Sequence, residues 1–304
     1  MAQTIVLTAC DLRPLRADPD GMRGALDAVE RAIRADAAGG VRQGRLVDRV
    51  PGEFEGIRVS LLAGDGLLSG MRVFGNPPHT RAFLLFDGIT RAMLAVMDYG
   101  ILNSLRVGAT AGVAARYLAP PGARSVGLLG SGWQAQPQLD ALRHAVPTLE
   151  HVRVFSPTPA HRAAFAEQMT LRLDIPVEPC DSVEAAIRDA DIVDLCAPGH
   201  FDVREPLFDP AWIRPGALVI SMAQNQYRPE LAEHARLVGS SSFPEDPGTP
   251  LKSILLGSAP AREHPGQTVV YQLEGGTVQD LFVAMWGYDW ARARGLGQPF
   301  DLSA

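Results

Sequence analysis

The apolar positions change their spacing along the chain, and each change marks an element. Thr4–Thr8 reads as a short strand. From Asp20 to Ala38 the apolar residues fall at helical intervals, with Leu26, Val29 and Ile33 on one face and Gly39-Gly40 at the end, which predicts an amphipathic helix. Between Arg45 and Val96 the pattern breaks into short apolar runs separated by Gly, Pro and Asn, such as Met71-Arg72-Val73-Phe74 and Ala82-Phe83-Leu84-Leu85-Phe86. Runs of that length predict a sheet joined by turns rather than strands alternating with helices. Tyr99–Leu118 reads as a helix rich in Ala and Gly, and Ala119-Pro120-Pro121-Gly122 after it is the expected boundary between two domains.

Beyond that break the rhythm alternates. Strands are expected at Ser125–Leu129, Val152–Phe155, Pro176–Glu178, Ile192–Cys196 and Ala217–Met222, with helices at Trp133–Ala145, Ala160–Leu173 and Val183–Ala190. Such alternation predicts an α/β domain, a parallel sheet with helices on both faces. Ser240–Gln267 is rich in Pro and Gly and reads as a long loop. A strand at Thr268–Tyr271 and a helix at Thr277–Arg294, carrying Leu281, Trp286 and Trp290, close the chain.

Composition narrows the function classes. At 304 residues and 46% apolar content the chain can bury two cores without disulfide or metal support. No apolar run reaches the length of a membrane-spanning helix, and Met1–Asp11 lacks the basic and apolar segments of a signal peptide, so a soluble, cytoplasmic protein is expected. Cys10, Cys180 and Cys196 are far apart and form no CxxC pair, which predicts neither a disulfide framework nor a zinc site, and no His pair has metal-ligand spacing. A net charge of −6 without basic runs argues against a nucleic-acid partner. Among the 28 basic residues only Lys252 is lysine, so lysine-based chemistry has a single candidate.

The strongest local signal is Gly127-Leu128-Leu129-Gly130-Ser131-Gly132-Trp133-Gln134-Ala135. Gly130, Gly132 and Ala135 fit G-x-G-x-x-G/A between an expected strand and helix, the pattern that lets backbone approach a pyrophosphate at a helix N-terminus. Cofactor contacts are expected from Gly130, Ser131, Gly132, Trp133 and Gln134, and from Ala197 after a later strand. Where NAD-binding chains hold the ribose 2′-hydroxyl with a carboxylate, Phe155-Ser156-Pro157-Thr158 has none. Ser156, Thr158, His161 and Arg162 offer hydroxyls and a cation, so NADP(H) is expected over NAD(H), although the same residues also suit a helix N-cap beside a solvated arginine.

Three segments together resemble the ornithine cyclodeaminase/mu-crystallin family: Leu105–Ala119, Gly127–Leu139 and Val269–Leu281, the last reading Val-Val-Tyr-Gln-Leu-Glu-Gly-Gly-Thr-Val-Gln-Asp-Leu. The resemblance implies a Rossmann-type domain at 120–276 and an α+β substrate-binding and dimerisation domain at 1–119, completed by the C-terminal helix 277–304, in a homodimer. It also places Arg45 and Arg106 at positions that contact the substrate carboxylate in family members. Arginine suits that task because its planar fork holds a carboxylate in two-point contact, and Arg72 is a third candidate in the same domain.

Departures from the family pattern bear on the reaction. Arg72 stands where the family usually has lysine, Val107 replaces a threonine, and the family's late catalytic aspartate gives way to Gln224 or Asn225. An amide does not titrate near neutrality, which argues against cyclodeamination. Reduction of a C=N bond asks less, since hydride comes from the cofactor and orientation does much of the work. The expected roles are Arg72 on a second carboxylate or carbonyl oxygen, Asn225 on the substrate nitrogen and His79 as proton donor, with a turn histidine in solvent as the plainer reading of His79. The expectation is an NAD(P)H-dependent imine or ketimine reductase, or amino-acid dehydrogenase, acting on a small imino or keto acid. A ligand- and cofactor-binding protein without turnover and a cyclodeaminase are the alternatives.

Overall fold

The computed structural model describes residues 3–47, 57–64, 66–75, 81–197, 207–222, 226–240, 248–273 and 278–301; of Arg45, Val47, Ile57 and Arg58 it describes the backbone alone. In chain order, strand β1 (Thr4–Leu7) leads into helix α1 (Ala9–Leu12), opened by a reciprocal cap in which Asp11 accepts from the Thr8 N–H at 2.8 Å and the Thr8 hydroxyl accepts from the Asp11 N–H at 3.4 Å. Helix α2 (Gly21–Ala37) follows, then strands β2 (Val41–Val47), β3 (Ile57–Gly64), β4 (Leu68–Gly75), β5 (Arg81–Asp87) and β6 (Met93–Asp98), and helix α3 (Tyr99–Leu118). The alternating part comprises β7 (Ser125–Leu129), α4 (Ala135–Ala145), β8 (His151–Phe155), α5 (Pro159–Leu173), β9 (Val177–Pro179), α6 (Val183–Ile187), β10 (Ile192–Leu195) and β11 (Leu218–Ser221). Then come α7 (Pro229–His234), β12 (Arg236–Gly239), β13 (Thr249–Pro250), α8 (Leu251–Leu255), β14 (Val269–Gln272), α9 (Val278–Ala293) and β15 (Gln298–Phe300).

These elements form two compact units, Met1–Arg106 with Gly276–Ala304, and Val107–Gly275. The division falls inside α3 rather than at the Pro-Pro-Gly segment. The later half of α3 packs on α4: a Cβ at Gly108 would sit 2.4 Å from the Pro137 carbonyl oxygen, so only glycine permits that approach.

The first unit holds a seven-stranded sheet in the order β15-β1-β6-β5-β4-β3-β2, antiparallel throughout except where β1 lies parallel to β6. Strand periodicity sorts its residues. Ser60, Arg72, Phe83, Met97 and Leu7 align across five strands and are all buried, on the face covered by α9. Leu61, Met71, Leu84, Val96 and Val6 align on the other face, an apolar row that stays partly or fully exposed.

The second unit is an eight-stranded parallel sheet in the order β13-β12-β14-β11-β10-β7-β8-β9. Its central strands β7, β10 and β11 are buried along their whole length. The chain runs outward from β7 through β8 to β9 and then returns to β10 on the other side, so the order reverses between β7 and β10, where doubly wound sheets bind ligands. Within the span expected as one long loop, β13 and α8 form instead. Each is at most five residues long, too short for a period to show. Among the described residues no helix is long and apolar enough to cross a membrane.

Helices α2 and α9 pack at Gly24, where a Cβ would lie 2.2 Å from Trp286 Nε1. Gly24→Ala should lower stability by about 1–3 kcal/mol in a denaturant titration, because overpacking at a rigid indole outweighs the helix-propensity gain.

Candidate functional site

The glycine-rich turn lies between β7 and α4. Gly130 has φ +112°, and a Cβ there would meet the backbone of Cys196 and Ala197 at 2.8–2.9 Å, so both conformation and space demand glycine. Nothing lies within 4 Å of a Cβ position at Gly132, which leaves its backbone open to a ligand. Gly130 N–H donates to Phe155 O at 2.8 Å, and the hydroxyls of Ser131 and Ser156 are 2.8 Å apart, tying the turn to the end of β8. Trp133 is exposed, and the Gln134 side-chain oxygen is buried without a hydrogen-bond partner among the described residues. This arrangement fits a dinucleotide: an open backbone turn at the start of an eleven-residue helix, at the reversal point of the sheet.

The sequence-expected ribose residues are arranged differently from a free cationic fork. Thr158 takes the N-cap position of α5 without a side-chain cap bond. Arg162 is buried, donates to Ser156 O at 3.1 Å, pairs with Asp181 and lies 5.7 Å over the Phe155 ring. Gln226 binds the loops after β10 and β11 together, donating to Leu195 O (3.2 Å) and Ala197 O (2.8 Å) and accepting from Ser221 Oγ and Met222 N–H (2.9 Å each).

Beneath the same turn, in the middle of β10, Asp194 is fully buried. Gln138 of α4, with its amide nitrogen turned to the carboxyl, donates at 2.8 and 3.1 Å, and the Cys196 thiol donates at 3.5 Å. Burial pushes the Asp194 carboxyl up to about 7, the thiol hydrogen bond opposing it, and burial with the Asp194 charge pushes the Cys196 thiol well up.

In the first unit Arg72 and Arg106 converge on one carboxylate. Asp280, in the first turn of α9, is fully buried. Arg72 of β4 pairs with its Oδ2 and lies 3.4 Å from Ser60 Oγ, and Arg106 of α3 places Nε 2.7 Å from its Oδ1 and donates to Asn103 at 2.9 Å. Each arginine is only 3% exposed, so burial of the charges is nearly complete. Two buried guanidinium groups thus share one carboxylate, an arrangement that costs desolvation of all three ions. The Tyr99 hydroxyl is buried beside Asp280 and Arg106 without a hydrogen bond of ordinary geometry, and burial followed by the Asp280 charge raises its pKa well above the usual phenol value. Burial pulls the Arg106 pKa down, but Asp280 and Tyr99 outweigh it and raise it.

Arg45 pairs in backbone register with Ser60, which pairs with Arg72, so it belongs to the same cross-strand row; its side chain is outside the described residues. His79, Gln224 and Asn225 also lie outside the described residues. The sequence reading assigned no role to Asp280, Asp194, Tyr99 or Gln226. Asp280 and Asp194 did carry a signal: each is a single carboxylate inside an apolar run, Val278–Ala284 and Ile192–Cys196. Among the described residues no cluster of His, Cys, Asp and Glu is arranged to hold a metal ion.

A raised folded-state pKa means that the folded chain keeps a proton the unfolded chain gives up. The stability tied to Asp194 is therefore complete in acid and is lost as pH rises through about 7. Asp194→Asn should remove that slope, so that its stability advantage over the parent widens by about 1 kcal/mol between roughly pH 6 and 8 in urea titrations.

The model of the ornithine cyclodeaminase/mu-crystallin family matches residues 69–240. The chain is 28% identical to the ketimine reductase mu-crystallin of Mus musculus over 237 residues, 70% of each protein. It is 26% identical to a Delta(1)-pyrroline-2-carboxylate reductase of Bacillus cereus over 246 residues, 72% of this chain and 73% of that one. Among solved structures, the Thermococcus litoralis Delta(1)-pyrroline-2-carboxylate reductase in complex with NADH and L-proline matches with a TM-score of 0.85 at 24% identity, covering 97% of this chain and 100% of that chain. With a family model spanning more than half its length and a fold shared from end to end, the chain belongs to the ornithine cyclodeaminase/mu-crystallin family.

Proposed function

We propose that the protein is an oxidoreductase that reduces the C=N bond of a small carboxylate-bearing imino acid, or of the imine formed from a keto acid and an amine, with NADP(H) favoured over NAD(H). The observation that carries this reading is the meeting of two buried guanidinium groups, Arg72 and Arg106, at Asp280, a side-chain type that holds a carboxylate in two-point contact. The ketimine and pyrroline-2-carboxylate reductases among its relatives act on that class of compound by name.

The bound dinucleotide would supply hydride to the imine carbon. The second unit would provide its turn at Gly130, Ser131 and Gly132, flanked by Trp133, Gln134 and Ala197. Arg72 and Arg106, with Arg45 in the same strand row, hold the substrate carboxylate and so orient the acceptor carbon. Asn225 as hydrogen-bond partner of the substrate nitrogen and His79 as proton donor complete the proposed set. The preference for NADP(H) rests on Ser156–Thr158, which bring no carboxylate to the end of β8. The absence of a titratable group at Gln224 and Asn225 speaks against cyclodeamination.

A homodimer and a cytoplasmic setting belong to the same proposal. The partly exposed apolar row Leu61, Met71, Leu84, Val96 and Val6 runs across five strands, a surface that a second copy of the sheet would cover.

Addition of cyclic imino acids (pyrroline- or piperideine-2-carboxylate), or of keto acids with ammonia or methylamine, should deplete NADPH absorbance faster than NADH. Arg106→Ala should raise KM and lower kcat/KM by about 2–4 kcal/mol, and unchanged kinetics in that variant remove the carboxylate role. Stabilisation by NADPH without any turnover would favour a binding protein, and ammonia release without net cofactor change a cyclodeaminase. In light scattering the parent should weigh as a dimer and the double variant Leu61→Glu, Leu84→Glu as a monomer, with NADPH binding retained.

A further inference from the structure

We infer that Asp280 is a positioning residue for the substrate carboxylate: it holds the guanidinium groups of Arg72 and Arg106 in one fixed arrangement without itself touching the substrate. This rests on the reading of Arg72 and Arg106 as the acid-binding pair.

Three elements distant in the chain meet at this carboxylate. Arg72 comes from β4, Arg106 from α3 and Asp280 from α9, and Asp280 follows Arg72 by 208 positions. Asp280 has no solvent contact, and its neighbours on the helix, Leu281, Phe282, Val283 and Ala284, are buried and apolar. Among the described residues its charge is answered by these two cations, one at each oxygen. The buried Tyr99 hydroxyl and Ser60 hydroxyl stand against the same groups.

Without this carboxylate two like charges would face each other in a water-poor pocket and separate, since repulsion grows as the dielectric falls. With it, each guanidinium is anchored through one part of its fork, and the direction of the rest is set. Long flexible side chains are otherwise costly to immobilise when a ligand binds, so anchoring them beforehand strengthens binding and sharpens orientation. Apolar residues in place of all three ions would fill the core equally well, so retaining the buried charges here has a use beyond packing.

The test uses pyrrole-2-carboxylate, an unreactive planar acid of the imino-acid shape, and reads its dissociation constant by calorimetry on the NADPH-loaded protein. Asp280→Asn keeps the shape and removes the charge; it should weaken binding of this probe tenfold or more, while stabilisation by NADPH stays as in the parent. Asp280→Glu keeps the charge but displaces it, and should also weaken binding, so it serves if the asparagine variant does not fold. A purely structural role would lower the melting temperature and leave the dissociation constant of the folded protein unchanged, which overturns the inference. Tighter binding in Asp280→Asn overturns it too, because Asp280 would then compete with the ligand. Absence of turnover in the parent with every imine, while the probe still binds and depends on Asp280, would sink the reductase reading and leave this inference standing. Failure of the parent to bind the probe would sink the inference.

Discussion

One buried carboxylate organises the first unit. Asp280 lies in a helix otherwise made to fill a core, and it is tolerated there because Arg72 and Arg106 answer its charge from a strand and from a second helix. Desolvating these three ions is expensive, and their mutual attraction offsets that expense only when their positions are well defined. The sheet register that puts Arg72 in the same row as Ser60 and Phe83, the start of α3 and the docking of α9 are therefore all constrained by one electrostatic contact.

The second unit depends on backbone conformation more than on charge. Gly130 occupies a region of φ closed to other residues, and its lack of a Cβ lets the turn touch the chain after β10. Gln226 then fixes that chain to the end of β11 with four hydrogen bonds. Asp194, under the same turn, adds a group whose protonation changes near neutrality, held between α4 and Cys196. The glycine turn thus rests on a core with a titratable member.

Much of this is legible in the sequence. The helix at Tyr99–Leu118 and the strand at Ser125–Leu129 have the bounds that periodicity predicts, because long or fully apolar segments carry their own signal. Gly130 and Gly132 were legible because a tight turn and an open backbone admit few residue types. The two-residue strand β13 and five-residue helix α8 were not, since pairing partners rather than local preference create them. The boundary between units within α3 was hidden for a related reason: a continuous helix shows no break where its packing partner changes.

The sequence by itself determined the alternating α/β rhythm, the glycine turn, the sheet that precedes them and the arginines as a class of anion-binding side chain. Those features follow from steric limits and from apolar periodicity, which act between near neighbours in the chain. The tertiary structure decided which arginines share a site, that Arg162 is already engaged by Ser156 and Asp181, and that Asp280 and Asp194 are buried. Charge pairing and desolvation depend on distance in space, and no spacing along the chain records that distance.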